Sequence, residues 1–293
     1  MLIPEDGPAV GNGSDEYIYK NIILIRHAQS VWNAVLDIGK DEMAVEQQKE
    51  KEEEKKMQEK KEKKESKSLF GKMLDKGIKV AKKAGEAASH SEAFLRKNDH
   101  ALSPHGVDQC FQLRETIEKT IQLPGQGGPN PPNPDAEWLR AVGLWMVSPF
   151  LRALETSAFS LVPIYEMNPD VRVRVIPLCR EVYKRRESRD CVGKDKNWGP
   201  RMLARAISSI GKAYECRTFE ADSLWRTIDL FKKYDIEACG KKWWSDSIEN
   251  DIDVRNRIDM CMAKVFSQQV ETIGIVGHSI FFRRVYIFSL NLK

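Results

Sequence analysis

The chain has 293 residues, of which 41% are hydrophobic, and 47 basic against 43 acidic side chains leave a formal net charge of +4. A charge this small gives no support to a nucleic-acid partner. Six cysteines without any Cys-x-x-Cys spacing argue against a disulfide scaffold or a zinc site, and they predict free thiols in a reducing compartment.

The first predicted element follows a polar start. Residues 1–16 contain proline, glycine and acidic residues but no apolar stretch, so we expect a disordered N-terminus without a signal peptide. No later window is apolar for long enough to span a bilayer, and a cytoplasmic protein is expected. Residues 21–25 form a short β-branched run that is typical of a buried parallel strand, and it ends abruptly at Arg26 and His27.

Residues 41–96 differ in composition from the rest of the chain and predict an insert. Between 41 and 67, ten acidic and nine basic residues occur without an apolar stripe, which predicts an exposed helix, coiled-coil-like in composition, or a disordered tether. Residues 68–88 are basic and amphipathic. We expect this segment either to pack on the rim of its own domain or to dock on an anionic membrane surface or another protein.

Strands and helices alternate after the insert. A helix is predicted from Ser103 to about residue 120, and Ser148-Pro149 is expected to open another capped helix. Three further strands are predicted at 142–147, 171–176 and 272–276, with helices at 198–215 and 251–268. This order predicts an α/β three-layer sandwich with a mostly parallel central sheet and helices on both faces, formed by one domain over 17–293.

Three predicted strands end in residues that suit a phosphoryl group. The first ends at Arg26 and His27, the second is followed by Arg152, and the last ends at His278. Reactive groups in such sheets gather at the carboxyl ends of the strands. Arginine offers a permanently charged fork of donors, and histidine can act as a nucleophile or a donor.

Five segments, in the same order along the chain, resemble the motifs of the histidine phosphatase (phosphoglycerate-mutase-like) superfamily. Residues 24–33 (LIRHAQSVWN) resemble its Arg-His-Gly signature, and residues 102–109 (LSPHGVDQ) resemble Leu-Thr-x-x-Gly-x-x-Gln. Residues 148–156 (SPFLRALET) resemble Ser-Pro-x-x-Arg-Ala-x-x-Thr. Residues 178–181 (LCRE) are similar to the Leu-x-Glu stretch, and residues 276–279 (VGHS) resemble Val-x-His-Gly. Ala28 and Ser279 stand where the family has glycine, and both are small.

The resemblance implies a role for each matched residue. His27 would be the nucleophile that becomes phosphorylated, and Glu181 would be the acid that protonates the leaving group. Glu187 and Asp190 are the alternatives for that acid. The phosphoryl oxygens would be held by four residues: Arg26, Asn33, Arg152 and His278. No metal or cofactor is required.

The expected function is a metal-independent phosphomonoester hydrolase with a phosphohistidine intermediate. A phosphoglycerate-mutase-type phosphotransferase and a non-catalytic phosphate-binding scaffold are the alternatives. The partner is expected to be a phosphorylated small molecule or a phosphoprotein, and the sequence leaves its identity and the oligomeric state open. Only residues 279–293 follow His278, so a short closing helix is expected, and whether the coding region is complete stays open.

Overall fold

A computed structural model describes residues 19–31, 33–34, 98–121, 134–184, 189–193, 197–215 and 221–290. The predictions for the N-terminus at 1–16, for the insert at 41–96 and for its amphipathic part at 68–88 lie outside these residues. Within them, strands and helices alternate along the chain as expected.

Five parallel strands form the central sheet, in the spatial order β1-β5-β2-β3-β4. They are β1 (Asn21–Arg26), β2 (Val142–Val147), β3 (Arg172–Val175), β4 (Tyr234–Asp235) and β5 (Thr272–Gly277). The four predicted strands are confirmed. Strand β4 has only two residues, too few for a hydrophobic pattern to show in the sequence.

Eight α-helices occur in the described part of the chain. They are α1 (Pro104–Ile121), α2 (Pro134–Ala141), α3 (Leu151–Ser160), α4 (Val162–Met167), α5 (Pro200–Glu215), α6 (Ala221–Asp229), α7 (Asp251–Phe266) and α8 (Ser279–Leu290). None of these helices has the length and apolar character needed to cross a membrane.

Helices cover both faces of the sheet. Side chains alternate along β2, so Trp145 and Val147 pack in one hydrophobic cluster with residues of α1, α3, α4 and α5. Leu144 and Met146 point to the opposite face and pack in a second cluster with residues of α7 and α8. Two cores on opposite faces confirm the predicted three-layer α/β arrangement, and the sheet is wholly parallel in the described residues.

Candidate active site

The candidate site lies at the carboxyl ends of β1, β5 and β2. Strands β1 and β5 are neighbours, and their register pairs Arg26 with Gly277, so the next residues, His27 and His278, come side by side. The His27 backbone N–H donates to the Gly277 carbonyl at 2.9 Å. The centroids of the two imidazole rings are 5.0 Å apart. The predicted pairing of the two histidines is therefore present.

His27 is held as a neutral imidazole. Its Nδ1 lies 2.6 Å from the Ala28 carbonyl oxygen, which can only accept, so Nδ1 carries the proton and Nε2 keeps its lone pair. Arg152 Nε donates to that Nε2 at 3.3 Å. Burial, then the positive charge of Arg152, lower the pKa of His27 from 6.5 to about 3. The lone pair of the ring is thus on Nε2.

His278 is fully buried beside His27. Its Nε2 shares a hydrogen bond of 2.7 Å with the Ser148 hydroxyl, and its Nδ1 has no hydrogen-bond partner among the described residues. Burial, followed by the charge of Arg152, lowers the pKa of His278 well below its usual value. An unpartnered buried nitrogen next to His27 is suited to contact a bound ligand.

The prediction that Ser148-Pro149 opens a capped helix is wrong. Helix α3 begins at Leu151, and its first N–H donates to the buried Asp99 carboxylate at 2.7 Å. Because a side chain from a distant segment caps the helix, the Ser148 hydroxyl is left to bind His278.

Arg152 is 1% exposed and supplies a charge at the centre of the site. Besides His27, its guanidinium donates to the Asp190 carbonyl at 2.9 Å and lies 3.5 Å from the Asp190 carboxylate. It also stacks over the Phe150 ring, 4.7 Å from the centroid. Phe150 in turn lies against His278 and Trp243, so an aromatic wall borders the two histidines.

In the described residues, Arg26 and Asn33 form no side-chain hydrogen bond with His27, Arg152 or His278. The Arg26 side chain is exposed and has no hydrogen bond or ion pair with any described residue. Its charge acts on His27 only as a smaller addition to burial and Arg152 in lowering the pKa. The Asn33 carboxamide oxygen accepts from the Ser30 hydroxyl at 2.9 Å and holds a turn. Its contacts with described residues do not reach His27, Arg152 or His278.

Glu181 is buried and binds the start of the helix that follows His278. Its carboxylate accepts from Phe281 N at 3.0 Å, from Val182 N at 2.9 Å and from Ile280 N at 3.4 Å. Burial raises the pKa of Glu181, against the opposing effect of these hydrogen bonds and of Arg152. A raised pKa favours the protonated carboxyl that an acid catalyst needs. Of the two alternatives, Asp190 contacts Arg152, whereas Glu187 lies outside the described residues.

A buried ionic network fixes the backbone around Glu181. Arg257 donates to both carboxylate oxygens of Glu249, at 2.8 and 2.9 Å. It also donates to the Leu178 and Arg180 carbonyls, at 2.9 and 2.8 Å. Arg180 also binds Glu249, at 2.7 Å. Sequence reasoning missed this network because Arg180 lies 69 residues before Glu249 and no local pattern connects them.

Two of the matched motifs hold the loop that follows His27. The Gln109 side chain accepts from Gln29 N at 2.9 Å, and Ser103 N donates to the Gln29 carbonyl at 2.9 Å. A Cβ on Gly106 would lie 2.0 Å from that carbonyl oxygen, so only glycine allows α1 to approach this closely. Thr156 accepts from Ala28 N at 3.1 Å. All of these side chains belong to the matched motifs at 102–109 and 148–156, which were the signal in the sequence. Their role in positioning the loop was not predicted.

Comparison with models of known protein families gives no match for this chain, and comparison with curated protein sequences gives none either. In the described residues, no group of three or more His, Cys, Asp or Glu side chains is placed to hold a metal ion.

Proposed function

We propose that this protein is a metal-independent phosphomonoester hydrolase that forms a phosphohistidine on Nε2 of His27. The observation that carries the proposal is the 3.3 Å contact between His27 Nε2 and Arg152 Nε, with His278 alongside. A neutral nucleophile next to a buried cation suits attack on a phosphoryl dianion. The proposal includes a fold of the phosphoglycerate-mutase-like type.

In the first step, the Nε2 lone pair attacks phosphorus in line, and the ester oxygen leaves with the bonding electrons. Arg152 exchanges its hydrogen bond from His27 to a phosphoryl oxygen. If the Ser148 hydroxyl donates to His278 Nε2, then Nδ1 carries the proton, and this unpartnered N–H can donate to a second phosphoryl oxygen.

Glu181 is the proposed acid because burial raises its pKa and favours a proton on it. It protonates the departing oxygen and then takes a proton from the water that attacks the phosphohistidine, which releases inorganic phosphate and frees His27. The substrate is a phosphorylated small molecule or a phosphoprotein.

The test is to trap the intermediate. A ³²P-labelled phosphomonoester is mixed with the enzyme and quenched in base within milliseconds, and the label is mapped by peptide analysis. We expect acid-labile, base-stable label on the peptide that contains His27, and none in His27→Ala. His105→Ala, which changes an exposed histidine of α1, is the matched control and should label normally.

Label on another residue, or turnover that survives in His27→Ala, contradicts the mechanism. A protein that never takes up label supports the scaffold alternative instead. Transfer of the label to an added alcohol acceptor rather than to water supports the phosphotransferase alternative.

A further inference from the structure

Asp190 binds the N–H donors of Arg152 that a phosphoryl group would need. Its carbonyl oxygen accepts from Arg152 Nη1 at 2.9 Å, and its carboxylate lies 3.5 Å from Nη2. Arg152 Nε is bound to His27. All three nitrogens of the buried guanidinium therefore already have a partner before any ligand arrives.

The contact belongs to a packed turn. Asp190 lies in a 3-10 turn, Arg189–Cys191, and the next side chain, Cys191, is buried and donates to the Asp190 carboxylate at 3.6 Å. Gly193 lies flat on Trp244, where a Cβ would come within 2.3 Å of the indole ring. Because Trp244 also packs edge-on against Trp243 of the aromatic wall, this turn is fixed over the site.

We infer that Asp190 is an internal competitor for Arg152, whose carboxylate must leave the guanidinium before a phosphorylated ligand can bind. The inference rests on the proposed function. A carboxylate and a phosphoryl dianion repel each other at a shared cation, so both cannot occupy Arg152 together. Asp190 thereby weakens the binding of every phosphate-bearing ligand, including the inorganic phosphate that hydrolysis leaves behind.

The change in phosphate affinity on loss of Asp190 distinguishes a competitor from a structural residue and from a general acid. Loss of a residue that only supports the site would weaken phosphate binding. Loss of a general acid would slow the release of poor leaving groups and leave the affinity for phosphate unchanged. Loss of a competitor tightens phosphate binding. Asp190→Asn keeps the size of the side chain and the backbone carbonyl contact while it removes the negative charge.

The experiment measures the Kd of inorganic phosphate by titration calorimetry at constant ionic strength, with the full chain. We expect Asp190→Asn and Asp190→Ala to bind phosphate at least tenfold more tightly than the wild type. Asp235→Asn removes a charge from the surface pair with Arg174 and should leave the Kd unchanged. In an Arg152→Ala background, Asp190→Asn should produce no gain, because there is no longer a cation to compete for.

The inference is overturned if both Asp190 variants bind phosphate as weakly as the wild type, or more weakly, while their circular dichroism matches that of the wild type. The phosphohistidine mechanism is not affected by that result. Failure of all the proteins to bind phosphate overturns both, because the site then does not hold a phosphoryl group. A gain that persists without Arg152 also overturns the inference, since the competition is then not for that residue.

Discussion

The charge of Arg152 determines what the candidate site can bind. The two histidines beside it are neutral, because burial and this cation lower both of their pKa values. A buried guanidinium beside neutral rings attracts an anion more strongly than the same group would on the surface.

Arg152→Ala should lower kcat/KM for an aryl phosphate by on the order of 10²–10³, the usual loss when one preorganised donor to a charged transition state is removed. Arg152→Lys should recover only part of that loss, since a lysine keeps the charge but not the fork. Steady-state kinetics measure both. A change of less than twofold in Arg152→Ala would show that this cation does not touch the reacting group.

Glu181→Gln should slow the hydrolysis of alkyl phosphates far more than that of aryl phosphates, whose leaving groups need no proton. A glutamine can still accept a hydrogen bond from the start of α8, so the thermal midpoint serves as the control for folding. If both substrate types slow equally, Glu181 is not the acid. Asp190 and Glu187 are then the residues to replace.

The sequence predicted those side chains of the site whose position follows from the ends of strands. His27, Arg152 and His278 converge because the carboxyl ends of neighbouring parallel strands share one edge of the sheet. It could not predict that Asp99, far away in the chain, caps α3 and leaves Ser148 to His278. Such pairings depend on tertiary packing, which a local pattern does not contain.

Among the elements, α1 supports the loop that follows His27. Its first turn approaches the backbone of Gln29, two residues after His27, and Gly106 makes that approach possible. A shift of α1 would therefore move the loop that also orients the His27 ring through Ala28.

Gly106→Ala should destabilise the protein by about 1–3 kcal/mol, the typical cost of overpacking, and should also lower kcat. Gly211→Ala is the matched control, because α5 leaves open space within 4 Å of a Cβ at that position. It should stabilise the protein by about 0.5–1 kcal/mol through helix propensity. Urea unfolding measures both. If the two substitutions change the free energy of unfolding in the same direction, α1 does not pack against Gln29 as closely as described.

The elements themselves were predictable wherever hydrophobic runs were long enough. Strands β1, β2, β3 and β5 follow from such runs, whereas the two-residue β4 forms only because β3 offers it a pairing edge. The start of α3 was misplaced at Ser148 because the cap that sets it comes from Asp99. The phosphoglycerate-mutase-like topology and the insert at 41–96 stay predictions.

For the molecule as a whole, buried carboxyls make stability depend on pH. Glu155 is buried, accepts from Leu102 N at 2.7 Å, and has a pKa raised from 4.5 to about 8. Burial is the main cause. Among its neighbours, the Asp99 charge also raises the pKa, while the Ser209 side chain and the Arg205 charge lower it. The folded state holds the Glu155 proton more tightly than the unfolded state does. The contribution of this protonated carboxyl to the free energy of unfolding is therefore full below pH 4.5 and is lost as the pH rises through 8.

Glu155→Gln should therefore match the wild type in stability at pH 5 and exceed it at pH 8, by up to about 4 kcal/mol at 1.36 kcal/mol per pH unit. The measurement is the free energy of unfolding in urea for both proteins at pH 5, 6, 7 and 8. A difference that stays constant over this range would show that Glu155 is not protonated in the folded protein.

The order of the sheet has a consequence for the synthesis of the chain. Strand β5 emerges from the ribosome after β1, β2 and β3, yet it lies between β1 and β2. Until it arrives, one edge of β1 and one edge of β2 lack their pairing strand, and unpaired strand edges are the kind of surface that chaperones protect. The two histidines meet only when β5 enters. A polypeptide that ends after α3 and before β5 consequently has His27 and Arg152 but lacks His278 and the strand that places it beside them.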